Sequence, residues 1–323
     1  MTTFDLPAGP RLLLQVELTP VQGTRFQPTG FPDVGAGVYT LPNGDEQLLL
    51  ESAQSVANRL EAACWDEARN DLYTPLEGLP YVRVNAADGS LLTTSIQEAH
   101  RLNSVYIEKS DFANQLVEAI EFDEKKPLDR HKLITALARF DIGCLLHGVF
   151  LESIAGVLRV PRALSGFIEA DRVGRVTTGG VKNDRVQPGK DEESGRTATE
   201  GFGNVPFHRT EFVAERITAY FNLDLEQLRG YRLGDAMQRL LLALGLFKVR
   251  KFLETGLRLR TACDLAAAAI EVKAPTGIVV PELAAIETAL PDLIKAASEH
   301  FASPPVSIAT FTSGEKKATR GKR

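Results

Sequence analysis

The stretch covering residues 171–209 places the tightest constraint on how this chain can fold. It contains seven Gly residues and few large apolar side chains, so it cannot pack a core of its own. A loop of this length inside a compact domain is usually either functional or without fixed structure. Strand-like segments lie on both sides of it, with LRVPRALSGFIEADRV before and EFVAERITAYFNLD after. We therefore predict an extended β-arm that projects from a larger body.

The rest of the chain mixes strand and helix patterns. Residues 11–20 predict a first strand, and Asn43-Gly44 and Asp88-Gly89 predict the turns of two hairpins. Helical patterns follow at residues 52 to about 68 and again at 233–254, where the apolar spacing is strong. Strands and helices do not alternate regularly, which favours the α+β class over a parallel α/β sheet.

Composition narrows the functional classes. The net charge is −5 and the sequence pI is about 5.7, which argues against nonspecific coating of a polyanion but allows a local basic stripe. The first residues show no secretory pattern, and the longest apolar run, LLLALGLF, is too short to cross a bilayer. The five His and three Cys have no metal-ligand spacing. We expect a cytoplasmic protein with neither a membrane partner nor a cofactor.

The first candidate site joins a Gly/Pro-rich loop to the start of a helix. A helix start offers unpaired N–H groups and the positive end of the helix dipole, which suits a phosphate. Side chains at positions three and four apart share one helix face. The alternative is helix capping with a solvated face, which Ser and Asn often provide. The residues predicted to bind are Arg25, Gln27, Ser52, Gln54, Ser55, Asn58 and Arg59.

The second candidate site is the arm. Its basic residues cluster toward its first half and reappear where the chain returns, while its acidic residues fall between. This order predicts positive charge near the base of the arm and negative charge toward its tip. The alternative is a flexible loop of mixed charge. The basic residues concerned are Arg172, Arg175, Lys182, Arg185 and Arg209, and Arg162 precedes them in the flanking segment.

Catalysis is a third hypothesis. A metal-independent ribonuclease uses a His as general base and a cation to stabilise the charged phosphate intermediate. His131 follows Asp129-Arg130, and His208 precedes Arg209. The chain contains no nucleophile-elbow, phosphate-loop or zinc-protease motif.

Several longer motifs closely resemble one known family. The chain resembles the backbone subunit, of the RAMP superfamily, in the type I-U (also called I-G) Cascade complex of CRISPR systems. The resemblance spans nearly the whole chain and is carried by QGTRFQPTGFPD, LLLESAQSVANRLEAACWD, LRVPRALSGFIEADRV, TGGVKNDRV and GFGNVPFHRTEFVAERITAYFNLDLEQLRGY.

The resemblance implies an RRM-like (ferredoxin-like) palm over residues 1–308 with helical insertions. It also implies a long β-hairpin thumb over 171–207 and a disordered basic tail over 309–323. Ser52, Gln54 and Arg59 approximately fit the family's phosphate-lining run, whereas Asn58 stands where a Lys is expected.

Within the thumb, Val181 or Val186 is the expected wedge at a kinked nucleotide, and Asp184 is expected to be structural because the assembly targets DNA. His208 joins the predicted RNA-binding residues beside Arg209. The implied partners are a CRISPR guide RNA, a target DNA strand through that guide, further copies of the chain arranged head-to-tail, and other Cascade subunits.

Two alternatives stay open. One is an endoribonuclease of the same superfamily that processes precursor CRISPR RNA, with His131 or His208 as the base. The other is a scaffold or small-molecule-binding protein without nucleic acid.

Overall fold

The computed structural model describes residues 4–31, 34–123, 125–152, 158–182, 203–255 and 257–312. The strands in these ranges are, in chain order, β1 Arg11–Pro20, β2 Gly30–Phe31, β3 Gly35–Thr40, β4 Glu46–Glu51, β5 Trp65–Asp66, β6 Asp71–Leu72, β7 Tyr81–Asn85, β8 Leu91–Thr94, β9 Val149–Leu151, β10 Leu158–Val160, β11 Leu164–Asp171, β12 Gly174–Lys182, β13 Val205–Val213, β14 Arg216–Asp224, β15 Leu257–Arg260, β16 Cys263–Ala267, β17 Glu271–Ala274 and β18 Val306–Thr310.

The helices in these ranges are α1 Ala53–Ala62, α2 Val105–Glu108, α3 Phe112–Ile120, α4 Arg130–Phe140, α5 Gly143–His147, α6 Leu225–Gly230, α7 Gly234–Glu254 and α8 Leu283–Ala297. Within the described part of the chain, none of them combines the length and apolar character needed to cross a membrane. Strands and helices are mixed as the sequence predicts, and the fold is α+β.

An antiparallel sheet forms the centre of the molecule. Its strands run in the order β15-β16-β1-β14-β11-β4-β3-β2, and β17 also pairs with β1. Alternate residues of β1, namely Leu12, Leu14, Val16 and Leu18, are buried, while the residues between them are partly or fully exposed. This period of two is what a strand with one buried face requires.

Helices α1 and α7 pack against the central sheet. Helix α1 packs against β11, and α7 packs against β15, β16 and α1. Helix α7 buries most of its side chains, including Leu240, Leu244 and Phe247, so it lies inside the molecule rather than on its surface. The core therefore lies between the sheet and this helical layer.

The arm joins two neighbouring antiparallel strands of the central sheet, β11 and β14. Strand β12 pairs with β13 from Gly174 opposite Val213 to Lys182 opposite Val205. Nine residues at the rise of a strand make these paired segments about 30 Å long. The two strands agree with the predicted extended arm. Its predicted residues Asp184, Arg185 and Val186 lie outside the described residues.

Three predicted segments fold differently. Helix α1 ends at Ala62 instead of near residue 68, because Trp65 turns into β5 and packs edge-on against Tyr81 with ring centroids 5.9 Å apart. The apolar run CLLHGVFLES predicts a strand, but its first residues form helix α5. Pro291 predicts an interruption of the last helical pattern, but helix α8 continues through this exposed residue while Ile286, Leu290 and Ile294 are buried.

The body also extends beyond the predicted boundary at residue 308. Strand β18 continues to Thr310 in parallel pairing with β7, and Ala309 is fully buried. A strand that completes a sheet and buries a side chain has a stable place in the fold. Residues 309–310 therefore belong to the body, and residues 313–323 of the predicted disordered tail lie outside the described ranges.

Candidate nucleic-acid interface

The loop after β1 runs along the outer edge of the arm. Phe26 and Phe212 exchange both of their backbone hydrogen bonds, at N–O distances of 2.9 and 2.8 Å, as an isolated antiparallel bridge. Both aromatic side chains are buried. Because side chains alternate along extended backbone, Arg25 and Gln27 point to the opposite side, together with Glu211.

These outward residues form a charged cluster. The Glu211 side chain is only 4% exposed; one carboxylate oxygen accepts a hydrogen bond from Arg25 at 3.0 Å, and the other forms an ion pair with Arg209 at 2.5 Å. Arg209 also donates to the Gln27 amide oxygen at 3.4 Å. The structure thus brings three predicted RNA-binding residues together around one buried carboxylate that the sequence reasoning did not single out.

Arg25, Arg209 and Glu211 of this cluster line a cavity of about 660 Å³ at the base of the arm. Its wall is completed by the loop residues that precede Arg25 and by β15 and β16, which contribute Arg258 and Asp264. The side chains of Arg25, Arg209 and Arg258 are 56%, 40% and 70% exposed. The carboxylate of Glu211 lies beneath two of these guanidinium groups, and the Asp264 carboxylate, which also lines the cavity, lies 3.6 Å from Arg258. Among the described residues of the lining, three arginines therefore face two carboxylates, and the charged lining keeps a net positive charge.

The start of α1 is largely committed to contacts within the chain. The Ser52 hydroxyl caps the helix by accepting from the Ser55 backbone N–H, and the Ser55 hydroxyl donates to the fully buried carboxylate of Glu51. Arg59 donates to Glu51 at 2.9 Å and to the Leu259 carbonyl at 2.6 Å. Ser55 and Arg59 thus bond to the chain's own Glu51, whereas Ser52 is exposed at the helix start, and RNA contacts by these three side chains stay a prediction.

Gln54 and Asn58 remain exposed on α1. The loop connects this helix to the arm, since the Thr29 hydroxyl donates to Glu51 at 3.3 Å while Arg25 reaches Glu211. The two predicted places therefore lie on the same side of the molecule.

Arg172 and Arg175 lie away from the cavity. Arg172 pairs with Asp45 at 3.1 Å and with Glu215 at 2.7 Å, and Arg175 pairs with Glu46 at 2.8 Å. These contacts fasten the arm to the β3–β4 hairpin. The strand register places Arg175 and His208 on the face opposite Arg209, and Lys182 on the same face as Arg209.

Arg162 lies at the other end of β11, eight residues or more from the arm, which corresponds to about 25 Å along a strand. Burial, followed by the nearby Arg101 guanidinium, lowers the pKa of Arg162. The structure therefore does not bring it to the cavity with Arg25 and Arg209.

Sequence reasoning missed a second, smaller cavity of about 240 Å³ beside the first. Thr255 and Arg258 line both cavities, while Arg59, Tyr73 and Lys251 line only the smaller one. The Lys251 ammonium lies 4.4 Å from the centroid of the Tyr73 ring. Arg258 follows a helix by four residues and stands in an alternating LRLR segment, but no sequence pattern relates it to Arg25.

The two histidines considered for catalysis lie on different elements. His131 is exposed in the first turn of α4, where its backbone N–H donates to the capping carboxylate of Asp129 at 2.9 Å. His208 is exposed on β13. Among the described residues, no group of three or more His, Cys, Asp and Glu is arranged to hold a metal ion.

Fold and site together define an α+β protein with a projecting hairpin and a cation-lined cavity at its base. Comparison of sequences then gives the family. The family described as CRISPR-associated protein GSU0053 (Cas_GSU0053) matches residues 12–175, about half of the chain. The chain belongs to this CRISPR-associated family, which confirms the predicted CRISPR membership.

Solved structures that resemble the chain include the following two. A chain of the structure titled "CRISPR RNA-guided surveillance complex, pre-nicking" is 15% identical, with a TM-score of 0.44 over 86% of this chain and 80% of that one. Csc2 of Thermofilum pendens is 9% identical, with a TM-score of 0.33 over 91% of this chain and 82% of that one. No curated protein matches the chain.

Proposed function

We propose that this chain is a non-catalytic, guide-RNA-binding backbone subunit of a type I, DNA-targeting CRISPR surveillance complex. Membership of the CRISPR-associated family carries this proposal. The geometry adds a surface suited to the role, because exposed guanidinium groups of Arg25, Arg209 and Arg258 line one cavity at the base of a long arm.

The strand order supports an RRM-like palm. Strands β16, β1, β14 and β11 are neighbours in that order, with α1 between β1 and β11 in sequence and α7 between β14 and β16. This order matches the β-α-β-β-α-β arrangement of ferredoxin-like folds, which supports the proposed palm. The arm then extends the connection between the second and third strands of the palm, as a thumb would, and residues 63–163 form the main insertion.

The chemistry of the cavity fits an RNA backbone. Arginine presents several N–H donors in a planar fork that matches phosphate oxygens. Proteins that hold a guide RNA contact its backbone and shape, while base pairing reads the target. Such a subunit requires distributed polar contacts rather than a catalytic cluster.

The same proposal includes the partners. Besides the guide RNA, they are a target DNA strand paired with that guide, other Cascade subunits, and further copies of this chain arranged head-to-tail. A head-to-tail interface whose rotation does not close produces an open helical filament, which can follow a strand of RNA.

The test is the RNA that remains with the purified full-length chain. We expect wild-type protein to retain RNA, and Arg25→Ala with Arg209→Ala to lose most of it. Each phosphate contact removed should also lower the salt dependence of binding by about 0.7 in logarithmic slope. Arg239→Ala is the matched control, because Arg239 is 50% exposed and paired with Asp5 at 2.7 Å, away from the cavity.

Unchanged RNA content in the double variant would contradict the assignment of the cavity. Incubating the protein with precursor RNA that contains the repeat distinguishes the endoribonuclease alternative from a non-catalytic subunit. Cleavage that disappears in His131→Ala or His208→Ala would favour the enzyme. Protein free of nucleic acid after gentle purification would favour a scaffold.

A further inference from the structure

Glu211 lines the cavity at the base of the arm, together with a second acidic residue, Asp264. The Glu211 side chain is 4% exposed, although an unpaired carboxylate is rarely buried to this extent. The carboxylate receives guanidinium groups from two separate segments, Arg25 of the loop and Arg209 of β13. A buried charge in such a place carries a desolvation cost, which the ion pairs with Arg25 and Arg209 offset.

The position of Glu211 decides how the two arginines are presented. Both guanidinium groups keep 40% or more of their side-chain surface exposed while one edge of each is held by Glu211. Each guanidinium carries five N–H donors, so donors remain for a phosphate. Without the carboxylate, two like charges would face each other across a short gap and would move apart.

We propose that Glu211 is a positioning residue that orients Arg25 and Arg209 for phosphate binding. This inference rests on the proposed function and deepens it. It makes a prediction opposite to that of simple electrostatics, in which removing a negative charge from an RNA-binding surface tightens binding. Here the neutral variant loses affinity because the loss of orientation outweighs the gain in net charge.

The experiment measures the affinity of full-length protein, freed of RNA at high salt, for a fluorescein-labelled single-stranded RNA of mixed sequence. We expect Glu211→Gln to bind about tenfold more weakly than wild type, on the scale of one charge-assisted hydrogen bond. The salt slope should fall by about 0.7, since one phosphate contact is lost. A purely structural role would leave this slope unchanged.

Two further variants make the test decisive. Glu211→Asp keeps the charge but shortens the side chain, so electrostatics predicts no change whereas positioning predicts weaker binding, and this variant serves if Glu211→Gln does not fold. Glu61→Gln is the matched control, because Glu61 is a buried carboxylate bound to a different arginine, Arg101, at 2.5 Å. It should lower the thermal midpoint without changing the RNA affinity of the folded protein.

Equal or tighter binding by Glu211→Gln and Glu211→Asp would overturn the role of Glu211. If Arg25→Ala and Arg209→Ala still weaken binding in that case, the cavity remains the RNA site. If none of the four variants changes affinity, the proposed site and the role of Glu211 both fail.

Discussion

Arg25 and Arg59 carry the same guanidinium group and lie near the same loop, yet their surroundings differ. Arg25 is 56% exposed above Glu211, whereas Arg59 is 29% exposed and bonds both to Glu51 and to a backbone carbonyl. The Arg59 Nε is buried and has no partner among the described residues. At the scale of single residues, the first arginine suits a ligand and the second holds α1 against β15.

We therefore expect Arg59→Ala to lower the free energy of unfolding by about 2 kcal/mol, because Glu51 would keep a buried charge with only hydroxyl donors. Denaturant unfolding measures this change. Arg239→Ala breaks an exposed pair and should cost about 0.5 kcal/mol or less. Equal losses of unfolding free energy in the two variants would contradict the stabilising role of the contacts between Arg59 and Glu51.

We expect the buried His147 to make the free energy of unfolding depend on pH. Burial, followed by the charges of Lys248, Arg101 and Arg162, lowers the pKa of His147 well below its usual value. The unfolded chain therefore binds a proton near pH 6.5 that the folded chain does not bind until a lower pH. The contribution of His147 to the free energy of unfolding is fully present above pH 6.5 and is lost as the pH falls below that value.

In wild type this contribution should decrease by up to about 1.4 kcal/mol for each pH unit below 6.5. We expect His147→Phe to remove this component, so that the unfolding free energy of wild type falls relative to that of the variant on acidification. Measurements at pH 7, 6 and 5 test this. Parallel curves for the two proteins would show that His147 does not titrate in this way.

At the scale of elements, the pairing of the loop with β13 organises the site. The buried side chain of Phe26 anchors the loop in the core. Because side chains alternate along extended backbone, Arg25 and Gln27 point to the opposite side. Two segments far apart in sequence thus share one charged surface.

Replacing the anchor should disturb both stability and binding. Phe26→Ala is expected to lower the free energy of unfolding by about 3–5 kcal/mol, because the side chain is only 1% exposed. RNA retention should fall with it as Arg25 loses its support. Val21→Ala, in the same loop at a 60% exposed position, should change stability by less than about 0.5 kcal/mol. Full RNA retention in a folded Phe26→Ala protein would show that the loop does not depend on this anchor.

At the scale of the whole molecule, the proposed filament makes a prediction about stoichiometry. Copies bound head-to-tail along RNA should increase in whole-number steps as the guide is lengthened. Native mass measurement of complexes assembled on guides of graded length provides the test. A fixed number of copies on every guide would contradict polymerisation along the RNA.

Local chemistry in the sequence determined much of this protein. The alternating apolar residues of β1, the turns at Gly44 and Gly89, and the apolar run of α7 each specify their element through short-range spacing. The arm also followed from composition, since a Gly-rich stretch between two strands cannot form a core. Local sequence determined the ends of helices less well. Helix α1 ends early because Trp65 packs against Tyr81, a contact that its local sequence does not reveal.

Only the tertiary structure decided which charged side chains are exposed to a ligand. The sequence alone does not distinguish one arginine from another. In the folded chain Arg25 lies over the buried carboxylate of Glu211, and Arg59 bonds to Glu51 and so links α1 to β15. Arg162 lies at the far end of β11, and Arg172 pairs with the β3–β4 hairpin. A charge acts on a ligand according to its exposure and its neighbours. Those neighbours come from segments up to 200 residues away, as the Arg59–Leu259 contact shows, so no local pattern could reveal them.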